Sequence, residues 1–191
     1  MGMVIERERL AEALASKRKQ GQRIIFTNGV FDLLHLGHLR YLRNARRLGD
    51  LLVVGVNSDE SARHLKGPRR PLVPDAERAE LLAALDCVDY VTIFGERTAE
   101  ATLALLRPDI YVKGADYAAR AKRQQNTVLD AQELHRALAD DAGLGERLPE
   151  ARTVADYGGS LALLAYLPGH STSDLIDRIV ARYGPDANAR P

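Results

Sequence analysis

The chain of 191 residues contains a single cysteine, Cys87. No disulfide can form within it, and a cysteine-rich zinc site is excluded. Cys87 stands among Leu81, Leu82, Leu85 and Val88, a setting that suits packing rather than reactivity. No apolar run approaches the roughly 20 residues of a membrane span. Residues 1–9 are charged and lack the apolar core of a signal peptide, so the cytoplasm is the expected location, with no membrane partner. An excess of one charge is missing too. The 27 Lys and Arg against 26 Asp and Glu leave a net charge of +1. The molecule as a whole is not built to bind a polyanion, and no nucleic-acid partner is expected. Any phosphate handling must fall to local basic clusters. Internal repeats and low-complexity tracts are also lacking. What remains is globular: 46% hydrophobic and 28% charged residues, in a length that suits a single domain over 1–191 with a sizeable core.

Apolar runs alternate with helical patterns. Strands are expected at residues 23–27, 51–56, 90–94, 110–112 and 161–167. The second is nearly unbroken in its apolar character, as for a strand covered on both faces. Helices are expected at about 5–20, 38–48, 75–85 and 98–106. The order predicts an α/β fold, a doubly wound, five-stranded parallel sheet with helices on both faces. Residues 118–153 are less regular and read as a helical segment. There, Thr127-Val128-Leu129-Asp130 resembles an N-cap with an acidic third position. The tail, 184–191, reads as loose.

Ligands of such sheets bind beyond the carboxyl ends of the strands. After the first strand comes Asn28-Gly29-Val30-Phe31-Asp32, then His35-Leu36-Gly37-His38, a strand, a tight turn and a helix start. Glycine permits close backbone approach, a helix N-terminus favours phosphate, and two imidazoles three residues apart share one face. A surface histidine pair is the plain alternative; a metal site lacks a third ligand nearby. After the second strand come Asn57-Ser58-Asp59, where Ser58 or Asp59 suits a helix cap, and then the basic stretch 63–71. That stretch reads either as a solvated loop or as a cationic arm that closes on phosphates, with Lys66 as its mobile point charge. Arg78 opens the next helix, and its pattern alone suggests exposure. After the fourth strand come Lys113-Gly114-Ala115-Asp116, where Asp116 suits a ribose hydroxyl, a base amine or a turn cap. After the fifth come Ser171-Thr172-Ser173, an ordinary helix start on the same edge as His35 and His38. Two helix N-termini meeting there would make a triphosphate cradle.

These residues together resemble the cytidylyltransferase-like nucleotidyltransferase superfamily, marked by H-x-G-H and a late S-T-x at a helix start. The runs FTNGVFDLLHLGHLRYLRNAR (26–46), LGDLLVVGVNSDESARHLKGPRRPLVP (48–74) and RPDIYVKGADY (107–117) are similar to bacterial sugar-phosphate nucleotidyltransferases. They are most like the adenylyltransferase family that makes ADP-heptose from D-glycero-D-manno-heptose 1-phosphate. The resemblance implies a Rossmann-like fold and transfer of a nucleoside monophosphate from ATP to a sugar phosphate, with release of pyrophosphate. It implies Mg²⁺ as cofactor, the metal ligands being unknown, and a homodimer. His35, His38 and Lys66 would be catalytic. Thr27, Asn28, Gly29, Phe31, Gly37, Lys113, Gly114, Asp116, Ser171, Thr172 and Ser173 would contact the nucleotide. Asp32, Asn57 and Arg78 would contact the acceptor.

The alternative within the class is a CTP-dependent enzyme for glycerol 3-phosphate or a similar small phosphate. The glycerol branch tends to carry arginine where this chain has Tyr166, which disfavours it. The span from Tyr117 to Gly158 is longer than the heptose family's, an expected insertion beside the acceptor pocket. Outside the class, H-x-G-H also occurs in class I aminoacyl-tRNA synthetases, but this chain has no second, lysine-rich signature loop. A non-catalytic nucleotide-binding module is the remaining alternative.

Overall fold

The fold is that of a computed structural model, described over residues 2–115, 126–165, 167 and 169–184. In chain order the elements are β1 (Met3–Val4), α1 (Arg7–Lys19), β2 (Ile24–Gly29), α2 (Leu36–Arg46), β3 (Leu51–Asn57), α3 (Asp59–Lys66), α4 (Asp75–Ala83) and β4 (Tyr90–Phe94). They continue with α5 (Glu100–Leu106), β5 (Ile110–Gly114), β6 (Thr127–Leu129), α6 (Ala131–Asp140), α7 (Ala142–Arg147), α8 (Glu150–Asp156), β7 (Ser160–Leu164) and α9 (Thr172–Tyr183).

Among the described residues the sheet has seven strands in the order β1-β4-β3-β2-β5-β7-β6. The expected parallel array is its centre: β4, β3, β2, β5 and β7 pair in parallel. Two strands were not expected. Met3 and Val4 pair in parallel with β4 at one edge. Thr127–Leu129 pairs antiparallel with β7 at the other, so the expected N-cap at Thr127 is a strand. The cap lies three residues on, at Asp130, whose carboxylate accepts from the Glu133 N–H while Glu133 accepts from the Asp130 N–H.

Strand pleat divides the core into two layers. Ile24, Phe26, Val53 and Tyr111 pack with Leu10 and Leu14 of α1, Leu103 and Leu106 of α5, Leu134 of α6 and Val154 of α8. Ile25, Leu52, Val54 and Val112 face the other way, against Leu42 and Ala45 of α2 and Leu82 of α4. Each large side chain buried in these layers contributes about 1.5–3 kcal/mol. Three aspartates cap the strands at the edge away from the site: Asp50 accepts from the Arg23 N–H, Asp109 from Ile24 and Asp89 from Leu52, each at 2.7 Å. That edge is thereby fixed, and the opposite, carboxyl edge is left for chemistry. Among the described residues no helix is long and apolar enough to cross a membrane.

Candidate active site

A cavity of about 790 Å³ opens at the carboxyl edge of the sheet. After β2 the chain turns through Phe31 and Leu33, which hold φ of 51° and 54°. Such left-handed conformations cost about 1–3 kcal/mol each in a non-glycine residue and cluster at functional sites. The turn sets the Phe31 ring edge-on to His38, with centroids 5.4 Å apart.

His35 is the N-cap of α2, and its Nδ1 accepts from the His38 N–H at 3.4 Å. With Nδ1 an acceptor, the neutral ring carries its proton on Nε2. The His35 and His38 rings stack with centroids 3.8 Å apart. Both are held below the ordinary histidine pKa, chiefly by burial. His170 lowers His35 further against an opposing pull from Asp174. The neighbouring His35 lowers His38 further against Asp32, to about 4. His38 Nδ1 is buried and has no hydrogen-bond partner among the described residues, an orphaned polar atom of the kind that marks functional sites.

Gly37 explains the glycine between the histidines. A Cβ there would stand 2.8 Å from the His170 carbonyl oxygen and 2.9 Å from the His35 ring. Only a residue without a side chain lets the starts of α2 and α9 approach this closely. On the α9 side, Ser171 Oγ accepts from the Asp174 N–H, and Asp174 accepts from the Ser171 N–H, each at 3.0 Å. Thr172 Oγ1 donates to the Asp32 carbonyl at 2.8 Å, which locks α9 to the turn after β2. The first N–H groups of a helix have no carbonyl one turn earlier to bond, so both helix starts present donors to the same space.

His35, His38, Lys66, Asn28, Gly29, Phe31, Gly37, Lys113, Gly114, Ser171, Thr172, Ser173, Asp32 and Asn57 all line the cavity. Lys66 ends α3 rather than standing in a loop, and Gly67 turns the chain there with φ 95°. Asn28 Oδ1 accepts from the Tyr111 hydroxyl at 2.7 Å and from Lys113 Nζ at 3.4 Å. Asn57 Nδ2 donates to Ser61 Oγ, and Ser58, one of the two expected caps, caps α3. Asp116 and Tyr166 lie outside the described residues.

Three of the expected site residues have partners within the fold. Arg78 is 1% exposed and does not line the cavity. Its guanidinium donates to the Val73, Val30 and Asn57 carbonyls and pairs with Asp59 at 2.7 Å. A planar fork suits four such partners, and Arg78 ties together the ends of β2 and β3. Thr27 is buried, and its hydroxyl shares a hydrogen bond with the Tyr41 hydroxyl at 2.8 Å. It fastens α2 to the sheet and contacts no ligand space. Asp32 reaches the cavity, but its carboxylate accepts from the Leu72 and Val73 N–H groups and pairs with Arg70 at 2.9 Å. It anchors the basic loop.

Arg70, His170, Arg97, Thr98, Arg147 and Glu150 also line the cavity and were not singled out from the sequence. Arg70 and His170 sit beside residues that were. The other four come from the β4–α5 connection and the α7–α8 junction, and no local pattern marks them.

A family model described as cytidylyltransferase-like matches residues 26–178. The bifunctional protein HldE of Syntrophotalea carbinolica is 45% identical over 177 residues, 93% of this chain and 31% of that protein. HldE of Geobacter sulfurreducens is 43% identical over the same shares. The chain thus spans about a third of the length of the curated relatives it matches. A solved structure, the lipopolysaccharide core biosynthesis protein from Thermoplasma volcanium GSS1, is 35% identical. It covers 52% of this chain and 79% of its own, with a TM-score of 0.47.

Proposed function

This chain belongs to the cytidylyltransferase-like family, and on that premise we propose that it is a nucleotidyltransferase, joining AMP from ATP to a sugar phosphate, heptose 1-phosphate, with release of pyrophosphate. The observation that carries the reading is the stacked, desolvated His35–His38 pair, set where the starts of α2 and α9 meet across Gly37.

A phosphate oxygen of the acceptor attacks the α-phosphorus of the nucleotide. That P–O bond forms as the bond to the β-phosphate oxygen breaks, and pyrophosphate departs with the electron pair. A phosphate monoester is already anionic near neutral pH, so no base is required, and catalysis rests on positioning and charge stabilisation. His35 donates from Nε2, and His38 contributes a second imidazole stacked against it. Lys66 supplies a mobile positive charge over the phosphates. The backbone N–H groups at Thr172 and Ser173 hold the β- and γ-phosphates; Ser171 Oγ still has its own proton to donate. Asn28, Gly29, Lys113 and Gly114 border the nucleoside, and Asn57 the acceptor.

Mg²⁺ bound to the nucleotide would neutralise charge on the triphosphate. Among the described residues no cluster of three His, Cys, Asp or Glu is placed to hold a metal, and the Asp32 carboxylate is already held by two N–H groups and Arg70. Such an ion would be held by the phosphates and water. The same reading places the chain in the cytoplasm, as a homodimer, which sedimentation at micromolar concentration would check.

The test is pyrophosphate release with Mg²⁺, crossing ATP and CTP against heptose 1-phosphate and glycerol 3-phosphate. Release with ATP and the heptose phosphate alone is expected. Release with CTP and glycerol 3-phosphate alone would move the chain to the cytidylyltransferases. Nucleotide binding without release would leave a non-catalytic module.

A further inference from the structure

The cavity straddles the edge of the sheet. The histidine pair comes from α2, on the face that holds Leu42 and Leu82. The opposite wall comes from the other face, where α5 and α8 pack through Leu103 and Val154. That wall carries Arg97, Thr98, Arg147, Pro149 and Glu150, the last three from the segment expected to be an insertion.

We infer that Arg147 and Glu150, which line this wall together with Arg97, form the acceptor-specificity site, built to hold a phosphorylated polyhydroxyl compound; this rests on the nucleotidyltransferase reading. The composition decides the ligand class. A guanidinium gives paired donors to phosphate or to neighbouring hydroxyls. A carboxylate offers about four lone-pair positions to hydroxyl donors. Among the described residues that wall holds no aromatic ring on which a base would stack.

Glu150 is 5% exposed, and its Oε1 accepts from the Ala99 N–H, the cap of α5, at 3.2 Å. One backbone bond fixes the carboxylate at the wall and leaves acceptor capacity for a ligand. Arg147 pairs with Asp141 at 2.6 Å, both about half exposed. Exposed pairs of this kind contribute little stability, so the guanidinium can exchange Asp141 for an anionic ligand at small cost. The inserted helices would thereby set which acceptor is taken, without touching the histidine machinery.

The experiment measures KM for heptose 1-phosphate, glycerol 3-phosphate and ATP in the full chain and in Arg147→Gln, Glu150→Gln and Asp141→Asn. For Arg147→Gln, the acceptor KM should rise on the order of tenfold, the loss of one charge-assisted hydrogen bond. KM for ATP and kcat should stay within about twofold. Glu150→Gln retains an oxygen for the Ala99 N–H and should raise the acceptor KM as well. Asp141→Asn breaks the ion pair but keeps the arginine, so its acceptor KM should be unchanged or lower. An Asp141→Asn effect equal to that of Arg147→Gln would mean a structural pair only. A rise in the ATP KM instead would assign the wall to the nucleotide, and no change in either would remove its role. Each overturns the inference alone. No release by the unmodified chain with either acceptor would remove the reading of the whole site, and this inference with it.

Discussion

Gly37 lies directly against the main chain of His170: a Cβ added at Gly37 would stand 2.8 Å from the His170 carbonyl oxygen. Gly37 and His170 are separated by 133 positions in sequence (170 − 37), and the starts of α2 and α9 meet there at a point where only a hydrogen fits. The spacing of the two helix starts therefore depends on this contact.

Gly37→Ala should force the two helix starts apart. Backbone oxygen cannot turn aside as a flexible side chain can. A displacement near 1 Å at reacting groups costs on the order of 10² in rate. The expected outcome is a loss in kcat/KM of about that size, with a circular dichroism spectrum like that of the unmodified chain. Near-full activity in Gly37→Ala would show that the helix starts do not need this spacing.

His38 makes stability pH-dependent. Its pKa falls from about 6.5 in the unfolded chain to about 4 in the folded one, chiefly through burial. Between those values the unfolded state binds the extra proton. Stability is therefore fully present above about pH 6.5 and declines as the pH falls toward 4. The decline is at most about 1.4 kcal/mol per pH unit for one such group. His35 shifts in the same direction and adds to the slope. Thermal melts of His38→Gln over this range should show a shallower decline than the unmodified chain. Parallel curves would mean that His38 is not buried as a neutral ring.

A bound triphosphate reverses that shift. Anionic oxygens beside His38 favour its charged form, so nucleotide binding near pH 5.5 should take up protons. Calorimetric binding enthalpies measured in buffers of different ionisation enthalpy give the number directly. Uptake is expected in the unmodified chain and should be reduced in His38→Gln. Equal uptake in both would place the titrating group elsewhere.

Arg78→Met should act on folding. The change leaves the Val30, Asn57 and Val73 carbonyls without a donor that each has in the native fold. It also leaves Asp59 without its partner. A loss on the order of 3 kcal/mol follows from breaking such a network, read as a lower urea midpoint. A variant with native stability and a raised acceptor KM would restore Arg78 to the binding site.

The central strands could be read from the sequence because their physics is local. Leu51–Asn57 is buried along its whole length, and an unbroken apolar run is what such burial looks like. The edge strands left no such mark. Met3 and Val4 are exposed on both sides, and Thr127–Leu129 is too short to show a period. At the candidate site the histidines and Ser171 were legible because motif and helix start coincide in sequence, and Lys66 because it stands in a basic stretch. Arg78 was not, because its partners are main-chain carbonyls brought together only by folding. Arg147 and Glu150 reach the cavity through helix packing on the far face of the sheet, and nothing in their neighbours signals it.

The most direct test of the phosphate-transfer reading is kcat for pyrophosphate release in His38→Ala against the unmodified chain, with Mg²⁺, ATP and heptose 1-phosphate. The variant should fold and still bind ATP. Removing one donor to developing charge costs on the order of 10²–10³ in turnover, and a loss of that size is the expected result. Turnover close to that of the unmodified chain would contradict the assignment of the stacked His35–His38 pair as the centre of the reaction.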